Sequence, residues 1–168
     1  MSVTQLGFAH DIDRANGKEE WLTPPELIKS LGEFDLDPCS PINRPWPIAK
    51  EHYTISDNGL VKPWIGRVWC NPPYGPETGK WMARCMAHKN CTALIFARTE
   101  TRQFFEYVWG GAYAVLFIKG RLSFYHVTGQ QGGTAGAPSV LVAFDESNAN
   151  ALLAATTTGK INGHYIKL

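Results

Sequence analysis

The sequence has no basic excess: 16 Lys+Arg stand against 15 Asp+Glu, a formal charge of +1. A protein that works mainly through non-specific attraction to phosphate carries a clear positive surplus, so the balance argues against that class while leaving room for a small local basic face. Long hydrophobic runs are missing too. The longest, Cys91–Ala97 and Ala112–Ile118, fall far short of the ~20 residues a membrane-crossing helix needs. Met1–Gly17 lacks the basic-then-apolar order and small-residue cleavage site of a secretory signal. Cysteine is sparse, and Cys39, Cys70, Cys85 and Cys91 show no close-paired spacing. Reduced thiols in a cytoplasmic protein are therefore expected, not a disulfide framework. Cys85-x-x-His88-x-x-Cys91 looks superficially like a metal cluster, but it has no fourth ligand close in sequence, and no metal is predicted. Internal repeats are absent, and no Gly-Lys-Ser/Thr element turns a glycine-rich loop into a phosphate cradle.

What is present is an ordinary globular composition, 44% hydrophobic and 18% charged, in 168 residues. That length predicts one domain with a real core. Residues 1–17 read as a flexible arm without periodicity and 18–168 as the domain. Thr23-Pro24-Pro25-Glu26 has the form of a capping box, with Thr23 as N-cap, Pro24 in the first turn and Glu26 reaching back. Leu27, Ile28 and Leu31 then share a helical face, closed by Gly32. Strands are predicted at 34–37, 67–70, 92–97, 113–118, 121–125 and 139–144. Helical patterns follow at 81–86 and 101–109. Gly129–Gly136 is flexible by composition. Apolar strands without alternation, separated by helices, indicate an α/β, doubly wound, mostly parallel sheet covered on both faces. The last two strands, 121–125 and 139–144, are expected to form an antiparallel edge near the C-terminus. Ligands of such a sheet bind at the carboxyl ends of its strands.

Asn71-Pro72-Pro73-Tyr74 follows a predicted strand directly, at that edge. Its residue types suit chemistry on a planar amino group. The lone pair of such a nitrogen is delocalised, so the nitrogen is a poor nucleophile. The Asn71 side-chain oxygen and the Pro72 carbonyl can accept hydrogen bonds from the amino hydrogens and stabilise the positive charge that develops. The prolines stiffen the turn, and Tyr74 offers a face for a base taken out of the duplex. Upstream, Asp37 ends a strand within Phe34-Asp35-Leu36-Asp37-Pro38-Cys39, suited to the amino-acid end of a nucleoside cofactor. Asp57 lies in the turn Asp57-Asn58-Gly59-Leu60, where it can accept from the cofactor's adenine amine. Arg98, Lys119 and Arg121 flank strand ends on the same rim and suit phosphate contacts. Phe124 is placed to wall or stack on the base.

Together these segments resemble the phage and prophage DNA N-6-adenine-methyltransferases, the small Dam-like enzymes. The resemblance rests on Glu20-Trp21-x-Thr23-Pro24, Leu36-Asp37-Pro38-Cys39, Ala49-Lys50, Asp57-x-Gly59-Leu60, Trp64 and Asn71-Pro72-Pro73-Tyr74-Gly75. It continues through Ala97-Arg98-Thr99-x-Thr101, Lys119-Gly120-Arg121-Leu122-x-Phe124 and Pro138-Ser139. It implies a Rossmann-like domain dependent on S-adenosylmethionine, acting in the cytoplasm of a bacterial host on double-stranded DNA with the target adenine flipped out. It further implies that Thr23, Pro24, Asp37, Pro38, Cys39 and Asp57 hold the cofactor and that Asn71–Tyr74 meet the base. Alternatives on the same residues are cytosine N4, RNA adenine, a protein glutamine amide, or a DNA-binding module without catalysis. The sequence departs from the broader methyltransferase pattern in having no Gly-x-Gly turn after Asp37 and no clear second-strand acid for the cofactor's ribose.

Overall fold

Apolar segments that do not alternate become the inner strands of a seven-stranded sheet in the computed structural model, which describes residues 20–168. The expected arm 1–17 lies outside the described residues. The chain runs through β1 (Trp21–Leu22), helix α1 (Pro25–Leu31), β2 (Leu36–Asp37), β3 (Glu51–His52), β4 (Val68–Cys70), helix α2 (Thr78–His88) and β5 (Cys91–Phe96). A π-helical turn, Phe104–Trp109, leads to β6 (Ala114–Ile118), β7 (Ser123–His126) and β8 (Gln131–Thr134). Then come β9 (Ser139–Ala143), helix α3 (Glu146–Thr157) and β10 (Gly163–Lys167).

The large sheet has the order β10-β6-β9-β5-β4-β2-β3, and β1-β7-β8 form a separate antiparallel sheet. Leu94, Leu116 and Leu141 pack with Leu27, Ile28 and Leu152 of α1 and α3 on one face. Ala93, Val115, Val140 and Val142 pack with Met82 of α2 and with Phe104 and Val108 of the π-helical turn on the other. Both faces are thus covered by helices, as the missing alternation requires.

The expected mostly parallel, Rossmann-like sheet is not what forms. β3-β2-β4-β5 are parallel, but β9 enters antiparallel between β5 and β6, and β10 pairs antiparallel with β6. Half of the neighbouring pairs are therefore antiparallel, and the reversed strand is central. The reason is that a missing alternation reports burial on both faces and carries no information on direction. The expected antiparallel pair of 121–125 with 139–144 does not form either. β7 instead pairs with β1 and with β8, and β8 takes up four residues of the glycine-rich stretch expected to be loop.

Two local expectations also change. The N-cap of α1 is Pro24, without a side-chain capping bond, and Thr23 is engaged elsewhere. The helix expected at 101–109 forms over residues 102–109, with Phe104–Trp109 in π-helical geometry. α3, rich in Ala, Asn and Thr, gave no clear apolar stripe in the sequence. It begins at Asp145, whose carboxylate accepts from the Asn148 N–H at 2.9 Å.

The rim where the parallel strands start is tied by Arg67. Its guanidinium lies over the Phe34 ring at 4.1 Å and donates to Asn148 Oδ1 (2.8 Å), the Leu31 carbonyl (2.8 Å) and the Glu33 carbonyl (3.0 Å). One side chain thus joins the end of α1, the start of β4 and the first turn of α3. Arg67→Ala is expected to destabilise the fold by about 2–3 kcal/mol, the effect of stranding several half-buried acceptors at once. Urea unfolding of the two proteins measures it.

Candidate active site

β2, β3, β4, β5 and β6 all point to one rim, and β9 and β10 start from it. That rim therefore collects Asp37, Asn71, Phe96, Lys119 and Ser139 from five strands. Asn71 follows β4 directly, and Pro72 stops the strand by removing a ladder donor.

The Asn71 carboxamide is held at both ends. Its Nδ2 donates to Thr23 Oγ1 at 3.3 Å, and its Oδ1 accepts from the Tyr74 hydroxyl at 3.2 Å. Thr23 is buried, so its oxygen has no competing water. Burial also lifts the Tyr74 phenol well above its ordinary pKa, which keeps its proton available to donate. The Tyr74 ring stacks on Phe96 with centroids 4.1 Å apart and planes within 5°. The turn is closed by Thr78, which donates to the Pro73 carbonyl at 2.8 Å and accepts from the Gly75 N–H at 3.0 Å. Among the described residues no hydrogen bond ends on the Pro72 carbonyl. Two acceptors, one carboxamide oxygen and one stiffened carbonyl, thus lie on adjacent residues at a strand end.

Asp37 lies next along the rim. It is 5% exposed, and burial raises its carboxyl to about pKa 7, although the Cys39 N–H, the Arg44 charge and the Ser40 hydroxyl pull the other way. Its Oδ1 accepts from the Cys39 N–H at 3.2 Å, and Cys39 Sγ in turn donates to the Asn71 carbonyl at 3.1 Å. Asp37, Cys39, Asn71, Thr23 and Tyr74 are thereby one connected chain of contacts. Cys39 Sγ also lies 3.9 Å from Cys70 Sγ, and contact between the thiols, with burial, pushes the Cys39 pKa up. The proline-rich loop beyond Cys39 is pinned by His52, whose Nε2 accepts from the Ile48 and Ala49 N–H groups at 3.1 and 3.3 Å. Burial, reinforced by the Arg44 charge, lowers this ring to about pKa 4, as suits a neutral acceptor.

The remaining expected residues are distributed differently. Pro38 is buried, and the turn carrying Asp57 reaches it: a Cβ on Gly59 would sit 1.9 Å from the Pro38 carbonyl, so only glycine fits there. Asp57 itself is spent within its own loop, accepting from the Thr54 N–H (2.9 Å) and from Lys62 (2.8 Å), which together lower its pKa. Pro24 serves as the start of α1. Arg98 and Lys119 are exposed at the ends of β5 and β6. Arg121 donates to the Gly136 carbonyl at 2.8 Å and so orders the segment before β9. Phe124 is 3% exposed and belongs to the core cluster that also holds residues of α1 and α3. Phe96 and Thr78 were not singled out in the sequence. An apolar residue closing an apolar strand looks like core, and Thr78 looks like an ordinary first-turn residue.

Among the described residues no three His, Cys, Asp or Glu side chains converge on a metal-sized site, and His88 pairs with the Gly66 carbonyl at 2.8 Å. No helix among them is long and apolar enough to cross a membrane.

These features define an α/β protein whose strand-end rim carries a buried carboxylate beside an Asn-Pro-Pro-Tyr loop. The model of one family, described as DNA N-6-adenine-methyltransferase (Dam), matches residues 13–161. The chain belongs to that family. No curated protein and no solved structure matches the chain.

Asp37 generates a prediction about stability. Its proton is held more tightly in the folded chain than in the unfolded one. Its favourable contribution is therefore complete below the ordinary carboxylate pKa and is lost as pH rises through about 7. Relative to the wild type, Asp37→Asn is expected to gain stability progressively from about pH 4 to about pH 7 and to stay level above that. The difference reaches the order of 4 kcal/mol. Urea unfolding across that range checks it.

Proposed function

We propose that the chain is a DNA adenine-N6 methyltransferase that uses S-adenosylmethionine and acts on an adenine turned out of the duplex. The observation that carries the reading is the Asn71 carboxamide fixed between Thr23 and Tyr74 at a strand end, in a chain of this family. The bound cofactor would supply an electrophilic methyl group on a sulfonium, which leaves as the neutral thioether.

The residues fit such a cofactor. Asp37 is a buried carboxylate whose ionisation is opposed by burial, and the cofactor's α-ammonium would relieve that cost. Pro38 and Cys39 would shape the wall beside it, and the Gly59 turn closes against Pro38. Thr23 and Pro24 would border the same space. Asp57 is assigned to holding that turn in shape, given its bonds to Thr54 and Lys62.

On the base side, Asn71 Oδ1 and the Pro72 carbonyl would accept the two amino hydrogens. As the nitrogen lone pair forms its bond to the methyl carbon, positive charge builds on nitrogen against two fixed acceptors, so little reorganisation is needed. Pro73 rigidifies the turn, and Tyr74, braced by Phe96, presents its ring to the base. The product ammonium is acidic and passes its extra proton to water, so no general base is required. Arg98 and Lys119 would contact phosphates; Arg121 and Phe124 would support that side from behind, through the loop before β9 and through the core.

Purified protein with tritiated S-adenosylmethionine and unmethylated DNA is expected to yield labelled N6-methyladenine after nucleoside digestion. Label on cytosine, on RNA or on a protein amide would replace the substrate, and cofactor binding without any transfer would remove the activity. Asn71→Ala is expected to lower turnover by about 10²–10³-fold, as for loss of one preorganised hydrogen-bonding group. It should keep its calorimetric affinity for the cofactor, whereas Asp37→Ala should lose that affinity first.

Thr23 is a positioning residue in this scheme. Thr23→Val leaves Asn71 free to turn its NH2 toward the substrate amine, so turnover is expected to fall about tenfold, the effect of one misdirected hydrogen bond. KM for DNA should hold, and Thr23→Ser should restore the rate. Equal turnover in the valine and serine variants would remove the role.

A further inference from the structure

Among the described residues four buried side chains keep a polar atom without a partner: Trp21, Trp46, Arg67 and Ser139. Trp21 and Trp46 pack on the small sheet, and Arg67 spends its other donors at the opposite rim. Ser139 is different because it stands on the site's own rim. It is the first residue of β9 and is 1% exposed, and its hydroxyl meets no donor or acceptor.

The register fixes where that hydroxyl faces. Ser139 pairs directly with Phe96, and the ladder is locked one step further by the Ala97 N–H to Pro138 carbonyl bond at 2.8 Å. Directly opposed residues of an antiparallel pair project to the same sheet face, so Ser139 lies beside Phe96 on the face that supports the Tyr74 ring. β4 and β9 are two strand steps apart, about 10 Å at the backbone.

We propose that Ser139 is a specificity-determining residue that hydrogen-bonds a ring nitrogen of the target purine while Asn71 and the Pro72 carbonyl hold its amine. The inference rests on Asn71–Tyr74 being the site of the target base. A buried hydroxyl without a partner costs the fold stability, and on the rim of a site that cost points to a use by a bound group. A ring nitrogen is an acceptor and the hydroxyl is a donor, and a base stacked at Tyr74 would lie on the sheet face that carries the hydroxyl. The contact reads the ring, where Asn71 reads only the amine. At N3 or N7, which have no counterpart in cytosine, it separates adenine from cytosine, whereas at N1 it would match cytosine N3.

The test compares wild type, Ser139→Ala and Ser139→Cys, using tritiated S-adenosylmethionine and DNA made with adenine, 7-deazaadenine, 3-deazaadenine or 1-deazaadenine. Ser139→Ala is expected to melt at the same temperature as wild type or higher, and to bind the cofactor unchanged by calorimetry. It should nevertheless lose about tenfold in kcat/KM on adenine DNA, the scale of one hydrogen bond. Ser139→Cys, with a weaker donor of similar shape, should fall between them. On one of the deaza substrates wild type should lose a similar factor, and Ser139→Ala should lose nothing further. Overturning results are an alanine variant with wild-type kcat/KM, a lowered melting temperature that reveals a partner within the fold, or deaza penalties of equal size in both proteins. Wild type that labels no DNA adenine would fail the base-site reading itself, and the Ser139 assignment with it.

Discussion

The site depends on a carboxamide that has been given only one way to face. An asparagine side chain ends in two groups of similar shape and opposite hydrogen-bonding sense, and a free one turns between them. Here Thr23 takes the amide hydrogens and Tyr74 gives its proton to the oxygen. Each partner is kept in its role by burial. Thr23 is almost wholly withdrawn from solvent, and burial raises the Tyr74 pKa so that its phenol keeps its proton. Phe96 holds the Tyr74 ring in plane, and Thr78 closes the loop behind it, so the supports of one side chain are drawn from β5, α2 and the entry to α1.

The two aspartates expected to face a cofactor show how setting decides the chemistry of identical groups. Asp57 lies in a loop where a backbone N–H and a lysine satisfy it, and its charge is stabilised. Asp37 ends a strand inside the protein, and although the Cys39 N–H, the Arg44 charge and the Ser40 hydroxyl favour its charge, burial outweighs them and its charge is opposed. A satisfied carboxylate has little to offer a ligand. One whose charge burial opposes gains from any cation that reaches it, and the contact chain through Cys39 to the Asn71 carbonyl couples its position to that of the Asn71–Tyr74 loop.

Much of the site was legible because its residues are short-range consequences of strand ends. Asp37 ends one strand and Asn71 follows another, and a strand that stops at proline leaves its last polar residue at the rim. Thr23 illustrates the limit. The pattern Thr-Pro-Pro-Glu is a sound helix start locally, yet its hydroxyl is claimed by a residue far along the chain, a tertiary contact that local propensity does not contain. The direction of β9 was hidden for a related reason. Ser139–Phe144 is apolar at nearly every position, as is Thr92–Ala97, and strands buried on both faces look alike whichever way they run. The glycine-rich stretch misled by composition: β8 forms because β7 offers a ladder, and Gly132 lies against Trp21 where a Cβ would collide.

The reversal of β9 bears on the chemistry as well as on the fold. Had β9 run parallel to β5, its first residue would lie at the rim where Arg67 ties the helices, far from Asn71. Because it runs the other way, the segment ordered by Arg121 arrives at the site's rim and delivers Pro138 and Ser139 beside Phe96. The strand that departs from the expected topology is therefore the one that brings a fresh side chain to the Tyr74–Phe96 side of the rim. The parallel strands β2 and β4 present Asp37 and Asn71 by ending there, and β9 presents Ser139 by beginning there. A sheet of mixed direction furnishes one rim with both kinds of terminus. The carboxylate suited to a cation and the hydroxyl suited to a ring nitrogen thereby come to lie on opposite sides of a single asparagine.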